Sequence, residues 1–245
     1  MFLAVTNENV LISRARREID KGGGGRYDLR ASALPRGRHG GMTMRIYMIR
    51  HAQSTANSMK VWTGQTNAGL SDEGAAALRA ICARYDYPRC DLYFSSPLRR
   101  CTESMEIIYG RAADFELAEL AECDMGELAG VPYTSLDDDP NYFAWIGKPE
   151  ETPPWKGESF GDFRRRAERG FLRILEICRE RGAESAAAVM HGDVMRAALH
   201  RFADPAVGHW DWKIPNGGVY ALECGADGRA LSCEKLPEFL FAPLG

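Results

Sequence analysis

The sequence predicts an α/β fold in three layers, with a mostly parallel central sheet flanked by helices. The main observation is that short apolar segments, typical of buried strands, alternate along the chain with amphipathic segments of helical period. The composition agrees, because 45% hydrophobic and 27% charged residues are ordinary for a globular protein. The 245 residues correspond to one or two domains of about 150 residues each.

Two strand–helix pairs are predicted in the first half of this pattern. RIYMIR (45–50) is a short apolar strand, and the alanine-rich segment 71–85 is a helix that begins after Ser71, a favourable N-cap. DLYFSS (91–96) is the second strand. It leads into a helix at 97–110, which we expect to have proline as its first residue and glycine at its end.

The second half contains a third strand at 114–120 and, after an irregular segment at 121–157, a long amphipathic helix at 159–182. The apolar residues near one face of this helix are Phe163, Phe171, Leu172, Leu175 and Cys178. A buried strand is predicted at 186–191 and a helix at 192–202. A closing hairpin is predicted from two strands, at 218–224 and 230–236. One domain of about 200 residues accommodates all of these elements.

Residues 1–43 differ in composition from the rest of the chain. They carry eight basic and four acidic residues, a net charge of +4, whereas the remainder carries −7. Four consecutive glycines oppose regular structure there, although 8–20 could form a short helix. We expect 1–43 to be a flexible N-terminal extension and 44–245 to be the single domain. Met42 and Met44 precede the first strand, and our hypothesis is that the extension is a start-site artefact; its acidic residues argue against a mitochondrial presequence.

Several classes of protein are disfavoured by composition. No apolar run approaches the ~20 residues that cross a bilayer, and the first residues lack the basic region and cleavage site of a signal peptide. The net charge of −3 argues against a general nucleic-acid binder. The seven cysteines are odd in number and form no CxxC pair, so neither a disulfide framework nor a zinc site is implied. We therefore expect a cytoplasmic protein with reduced thiols and with neither membrane nor nucleic-acid partners.

Three polar clusters directly follow predicted strands, at 50–54, 95–100 and 191–193. In open α/β sheets, ligands bind beyond the carboxyl ends of the strands, so these clusters are expected to meet at one edge. They supply two histidines and at least two arginines, and arginine offers a planar, permanently charged donor fork. Together with helix N-termini, that set of donors suits a dianionic phosphate.

The order of these clusters resembles that of the histidine phosphatase superfamily, also called phosphoglycerate mutase-like. Six segments carry the resemblance and follow the family order; they are 50–54 with Asn57, 64–74, 96–101, 120–126, 157–159 and 191–192. Ala52, Asn67, Gly69 and Ala129 depart from the commoner residues of the family, and they affect the expected substrate contacts more than the chemistry. The Arg-His-Gly-Gly at 38–41 follows no strand, so His39 is not a catalytic candidate.

The resemblance implies a phosphohistidine mechanism. His51 is the expected nucleophile, attacking as a neutral imidazole whose other ring nitrogen donates to a backbone carbonyl. Arg50, Arg100 and His191 are expected to hold the phosphate, and Glu122 to act as general acid and then general base. Further expected phosphate or substrate contacts are Ser54, Asn57, Gly64 and Gly192. No metal and no cofactor is expected.

Some alternatives remain open at the level of single residues. Arg99 competes with Arg100 for the phosphate, although two adjacent helical residues point about 100° apart and only one can face the pocket. Glu119, Asp124 and Glu127 compete with Glu122 for the role of general acid. The aromatic residues of 142–155 would either form a substrate lid or pack over the sheet. Trp62 would either line the mouth of the phosphate site or be a packed aromatic. Trp210 and Trp212 are expected in the core or an interface.

The predicted function is a phosphatase of histidine acid phosphatase type, a phosphoric monoester hydrolase acting on a small soluble phosphate ester. A cofactor-dependent phosphoglycerate mutase is the alternative, and a catalytically inactive phospho-ligand-binding protein is a third reading. Family mutases usually carry Arg-His-Tyr after the acid, where this chain has Cys123-Asp124-Met125. The sequence identifies no substrate and leaves homodimer formation open.

Overall fold

The computed structural model describes residues 43–136, 140–225 and 228–240. Within these residues, six strands form one sheet; they are β1 (Met44–Arg50), β2 (Leu92–Ser95), β3 (Phe115–Glu116), β4 (Ser185–Met190), β5 (Val219–Cys224) and β6 (Ala230–Leu236). The order across the sheet is β3-β2-β4-β1-β5-β6. β1, β2, β3 and β4 pair in parallel, whereas β5 and β6 form an antiparallel hairpin beside β1. The predicted, mostly parallel sheet is confirmed.

The helices of the described residues are α1 (Thr55–Ser58), α2 (Asp72–Arg84), α3 (Arg99–Tyr109), α4 (Pro140–Gly147), α5 (Phe160–Arg181) and α6 (Gly192–Ala198). The predicted cap of α2 is present, since the Ser71 side chain accepts a hydrogen bond from the backbone of Gly74. Ser159 caps α5 in the same way. Gly110 and Gly182 end α3 and α5 in the left-handed conformation, which glycine adopts without steric cost.

The central strand β4 shows why the fold has three layers. Its residues are small and almost entirely buried, so the strand can be covered on both faces. Ala186 and Ala188 belong to a core cluster with the apolar side of α5 and with α6. Ala187 and Val189 point to the opposite face, where they join residues of α2 and α3. The alternation of side chains along a strand therefore divides one sheet between two helical layers.

Three element predictions need correction. α3 begins at Arg99 rather than at Pro97, because Leu98 is still extended and forms the N-cap. β3 contains only Phe115–Glu116, since the chain turns into a 3₁₀ helix at Ala118–Leu120 instead of continuing as an edge strand. Leu172 is 43% exposed and lies outside the buried face of α5, one residue around the helix from fully packed Phe171.

The segment 121–157, expected to be irregular, contains 3₁₀ turns and α4, which begins with Pro140 at a position where a missing N–H costs nothing. The expectations for the 1–43 extension, its short helix and His39 fall on residues outside the described part, apart from Thr43. No helix in the described part is both long and apolar enough to span a membrane.

Candidate active site

His51 follows β1 directly and is held by both its backbone and its ring. Its backbone N–H donates to the carbonyl of Met190 at 3.0 Å, which ties the end of β1 to the end of β4. Its Nδ1 lies 2.6 Å from the carbonyl oxygen of Ala52. A carbonyl can only accept, so Nδ1 carries the proton and Nε2 keeps its lone pair. The expected contact of the ring with a backbone carbonyl is present, and the role of His51 as nucleophile stays a prediction.

Burial also keeps His51 neutral. The side chain is almost fully enclosed. Burial first, and then the charges of Arg100 and Arg50, lower the pKa of His51 well below 6.5. At neutral pH the imidazole is therefore uncharged, as the predicted attack on phosphorus requires.

His191 follows β4 as the N-cap of α6 and lies beside His51, with the ring centroids 4.9 Å apart. The ring is fully buried, and burial, Arg100, His51 and Arg50 lower its pKa well below 6.5. Its Nδ1 accepts from Nε of Arg100 at 3.3 Å, so the proton belongs on Nε2, which donates to Oγ of Ser96 at 2.9 Å. Donation from His191 to a phosphate oxygen stays a prediction.

Arg100 is the arginine that faces the histidines. It is 1% exposed, and its guanidinium donates to the carbonyls of Thr66 and Gly64 at 2.8 and 2.9 Å as well as to His191. Arg99 points outward instead, with a 64% exposed side chain paired to Glu103 one helical turn away. The geometry therefore favours Arg100 over Arg99, as the family pattern predicted.

Arg50 and Gly192 meet at the start of α6. The Arg50 guanidinium donates to the backbone carbonyl of Ile214 and lies close enough to both histidines to lower their pKa. A Cβ atom added to Gly192 would lie 3.3 Å from Nε of Arg50. Glycine at the first position of α6 thus lets a positive charge approach the helix N-terminus, which is itself a donor site for anions.

Glu122 is the carboxylate brought to the histidines. Its Oε2 lies 4.0 Å from Nδ1 of His191, and its Oε1 accepts from the backbone of Cys123 at 2.9 Å. Burial and, next, the charge of Asp193 raise the pKa of Glu122 to about 7, against the opposing effects of the Cys123 N–H, Arg100 and Arg50. Near neutral pH this carboxyl can therefore both give and take a proton.

The competing carboxylates have other partners. Glu127 pairs with Lys156 at an exposed position, and Asp124 accepts from the backbone of Gly126. Glu119 packs its Cβ towards Gly170 of α5. None of these three contacts involves a histidine of the site, so the geometry favours Glu122.

Ser54, Asn57 and Gly64 hold the surrounding loops. Ser54 is fully buried and caps α1, where its Oγ donates to Oδ1 of Asn57 at 2.9 Å and accepts from the Asn57 backbone. Gly64 has a φ of +49°, and an added Cβ would lie 2.9 Å from Cβ of Met125. Its carbonyl binds Arg100. The contacts of these three residues with phosphate stay predictions.

Several residues around the nucleophile carry no sequence signal. Asn216 donates from Nδ2 to the carbonyl of His51 at 2.7 Å, and Oγ of Ser104 accepts from the Ala52 backbone at 3.0 Å. Asn216 lies in a Pro-Asn-Gly-Gly stretch that reads only as a turn, and Ser104 occupies an unremarkable position in α3. Arg166 of α5 carries no distinguishing signal either, since it is the last of three consecutive arginines, of which Arg165 is exposed.

The aromatic residues near the site are packed on one another. Tyr142 and Trp145 of α4 lie against Trp62, with ring centroids 6.3 and 5.5 Å away, and Phe143 is exposed. Trp210 is also exposed, whereas Trp212 is buried as expected. Among the described residues, no three His, Cys, Asp or Glu side chains gather in an arrangement that could hold a metal ion.

Comparison with known proteins shows the family and the fold to which the chain is similar. The chain is 25% identical over 185 residues to the adenosylcobalamin/α-ribazole phosphatase of Salmonella typhimurium, covering 74% of this chain and 90% of that protein. The α-ribazole phosphatase of Shigella flexneri shares the fold, with a TM-score of 0.68 at 24% identity over 77% of this chain and 95% of that one. A phosphoglycerate mutase from Thermus thermophilus matches with a TM-score of 0.56 at 28% identity, over 78% and 98% of the two chains. A family model matches residues 46–235, from the first strand to the last, and the chain belongs to the histidine phosphatase superfamily, branch 1.

Proposed function

We propose that the protein is a phosphoric monoester hydrolase of histidine acid phosphatase type, which acts on a small phosphate ester through a phosphohistidine at His51. The observation that carries the proposal is the hydrogen bond from Nδ1 of His51 to the Ala52 carbonyl. It leaves the Nε2 lone pair as the nucleophile within a cluster that also contains two arginines, His191 and Glu122.

In the first step, Nε2 of His51 forms a bond to phosphorus while the bond between phosphorus and the ester oxygen breaks. Arg50 and Arg100 offset the negative charge on the phosphoryl oxygens, and His191 adds a further contact. Protonated Glu122 gives its proton to the leaving alkoxide, which departs as an alcohol. Its pKa of about 7 keeps a large protonated fraction at neutral pH.

In the second step, the Glu122 carboxylate takes a proton from a water molecule. The resulting hydroxide oxygen bonds to phosphorus, and the bond from phosphorus to Nε2 of His51 breaks. Inorganic phosphate is released, and both His51 and Glu122 return to their starting protonation states. One carboxyl can thus act as acid and then as base, because its pKa lies near the working pH.

Phosphoglycerate mutase is the second candidate, and the Thermus thermophilus structure of that name supports it. The residues after the acid favour hydrolysis instead. Cys123 and Met125 are buried, and Met125 packs against Gly64. Asp124 is engaged with the backbone of Gly126 and with Glu158. This stretch therefore presents no basic side chain to a carboxylate-bearing substrate.

Phosphate release from a panel of metabolite monoesters tests the proposal. α-Ribazole 5′-phosphate is the first compound to test, because relatives are named for it. The protein should release inorganic phosphate and form an acid-labile, base-stable phosphoryl adduct that is missing from His51→Ala. An adduct that persists in His51→Ala would exclude His51 as the nucleophile, and conversion of 3-phosphoglycerate to 2-phosphoglycerate without any hydrolysis would favour the mutase.

We propose a cytoplasmic location for the protein. Sedimentation of the full chain would test whether the protein forms a homodimer.

A further inference from the structure

One arginine outside the phosphate pocket holds the loop that carries Glu122. Arg166 extends from α5, and its side chain is only 17% exposed. Its Nη1 donates to the carbonyls of Glu119 and Ala121 at 3.0 and 2.8 Å, and its Nη2 donates to the carbonyl of Glu122 at 3.0 Å. One guanidinium thus binds three backbone oxygens within four consecutive residues.

Glu158 completes this arrangement on the other side of Glu122. Its Oε2 accepts from Nε of Arg166 at 3.2 Å, and its Oε1 forms an ion pair with the same guanidinium. The same Oε1 accepts from the backbone N–H of Asp124 at 2.9 Å. The ion pair is therefore hydrogen-bonded to the loop both before and after Glu122, from Glu119 to Asp124. A charged, partly buried hydrogen-bond network of this kind resists displacement of the loop.

The Glu122 side chain itself is held weakly by comparison. Its Oε1 accepts from the neighbouring Cys123 N–H, and its Oε2 lies 4.0 Å from His191. The position of the carboxyl consequently depends on where the backbone of residue 122 is fixed. Gln65 adds one further donor to that backbone, at 3.0 Å from the Glu122 carbonyl.

We propose that Arg166, with Glu158, is a positioning residue that aims the Glu122 carboxyl at the ester oxygen of the substrate. The inference rests on the proposed function, because it assigns Arg166 a role in proton delivery. Arginine is needed, since its planar fork can reach three carbonyls and a carboxylate at once. The single ammonium of lysine keeps the charge and loses that geometry.

This role predicts a loss of activity that depends on the leaving group. A displaced general acid slows the release of an alkoxide, which needs a proton, much more than the release of p-nitrophenolate, which needs little. We expect Arg166→Lys to lower kcat/KM on an alkyl monoester by about tenfold to a hundredfold, as a displacement of about 1 Å would. The ratio kcat/KM reports transfer of the phosphoryl group to His51, whereas kcat also contains the later step, in which Glu122 acts as a base whatever the substrate. On p-nitrophenyl phosphate, kcat/KM should change less than about threefold by the same reasoning.

Arg165→Lys is the matched control. Arg165 is the neighbouring residue on α5, is 64% exposed and pairs with Asp162, so its substitution should leave both substrates unaffected. Equal loss of kcat/KM on the two substrates in folded Arg166→Lys, or no loss at all, would overturn the inference.

Glu158→Gln provides a second variant should Arg166→Lys fail to fold. It keeps the shape of the side chain and removes the charge that holds Arg166, so it should show the same dependence on leaving group. Uniform loss in Glu158→Gln would reject the positioning role. Absence of His51-dependent turnover in the unmodified protein would reject the proposed function and this inference together, whereas turnover with uniform loss rejects the inference alone.

Discussion

Replacing Glu122 by glutamine should change how the stability of the protein depends on pH. The carboxyl has a pKa of about 7 in the folded protein, against an ordinary value of 4.5. The folded state therefore holds this proton more tightly than the unfolded state does. The resulting stabilisation is fully present below pH 4.5 and is lost as the pH rises through 7.

The size of the effect follows from the pKa difference. Each unit corresponds to about 1.4 kcal/mol, so the shift amounts to about 3 kcal/mol. The side chain is 18% exposed, so screening by solvent leaves most of this value in place. Relative to the unmodified protein, Glu122→Gln should gain about 3 kcal/mol of unfolding free energy between about pH 4.5 and about pH 8.

Urea unfolding of both proteins, followed by tryptophan fluorescence at several pH values, measures this difference. Comparison with the variant is essential, because His51 and His191 have lowered pKa values and act with the opposite sign. They must be neutral to fold, so they weaken the protein as the pH falls below 6.5, and this effect is common to both proteins.

Glu116→Gln, which replaces an exposed carboxyl in β3, is the matched control for removing one carboxylate by the same substitution. A stability difference for Glu122→Gln that does not vary with pH would refute the reasoning. It would mean that burial does not raise the pKa of this carboxyl, and that the group is ionised throughout the working range.

For an alkyl monoester, kcat/KM of the unmodified protein can be divided by kcat/KM of Glu122→Gln. This quotient should fall as the pH rises through about 7, because only the protonated carboxyl assists the leaving group. A quotient that does not change with pH would contradict the assignment of Glu122. The variant should be slower by about a hundredfold or more below that pH in steady-state kinetics. Gly64→Ala should lower the free energy of unfolding, measured with urea, by about 1–3 kcal/mol, because its φ is positive and the new methyl meets Met125. An unchanged free energy of unfolding would show that the loop adapts. Arg100→Lys should raise KM for the phosphate ester about tenfold or more while the variant remains folded, because one ammonium cannot reproduce the fork that binds Thr66 and the neighbouring groups; unchanged KM would place phosphate elsewhere.

Much of the fold could be predicted because its signals are local. The cap at Ser71 and the left-handed Gly110, both predicted from the sequence, act through backbone preferences within one helical turn. The element predictions that were wrong lie where local sequence preference and tertiary packing favour different conformations. The edge position of β3 allowed the chain to leave the sheet after two residues, although its composition is compatible with a longer strand.

The candidate site also has a part that the sequence predicts and a part that depends on tertiary packing. The sequence by itself determined that His51, Arg50, Arg100 and His191 follow strands of one sheet, because the carboxyl ends of parallel strands meet at one edge. It also favoured Glu122 by its place in the motif.

Only the tertiary structure decided the tautomers and pKa values of these groups. The tautomer of His51 depends on the direction of one carbonyl, and the raised pKa of Glu122 depends on burial and on Asp193. Asn216 reaches His51 across 165 residues, and Arg166 reaches the Glu122 loop across 44. Residue spacing along a chain specifies which face of a helix or strand a side chain occupies. Hydrogen bonds, desolvation and charge act through space, so they are fixed only when distant segments have packed together.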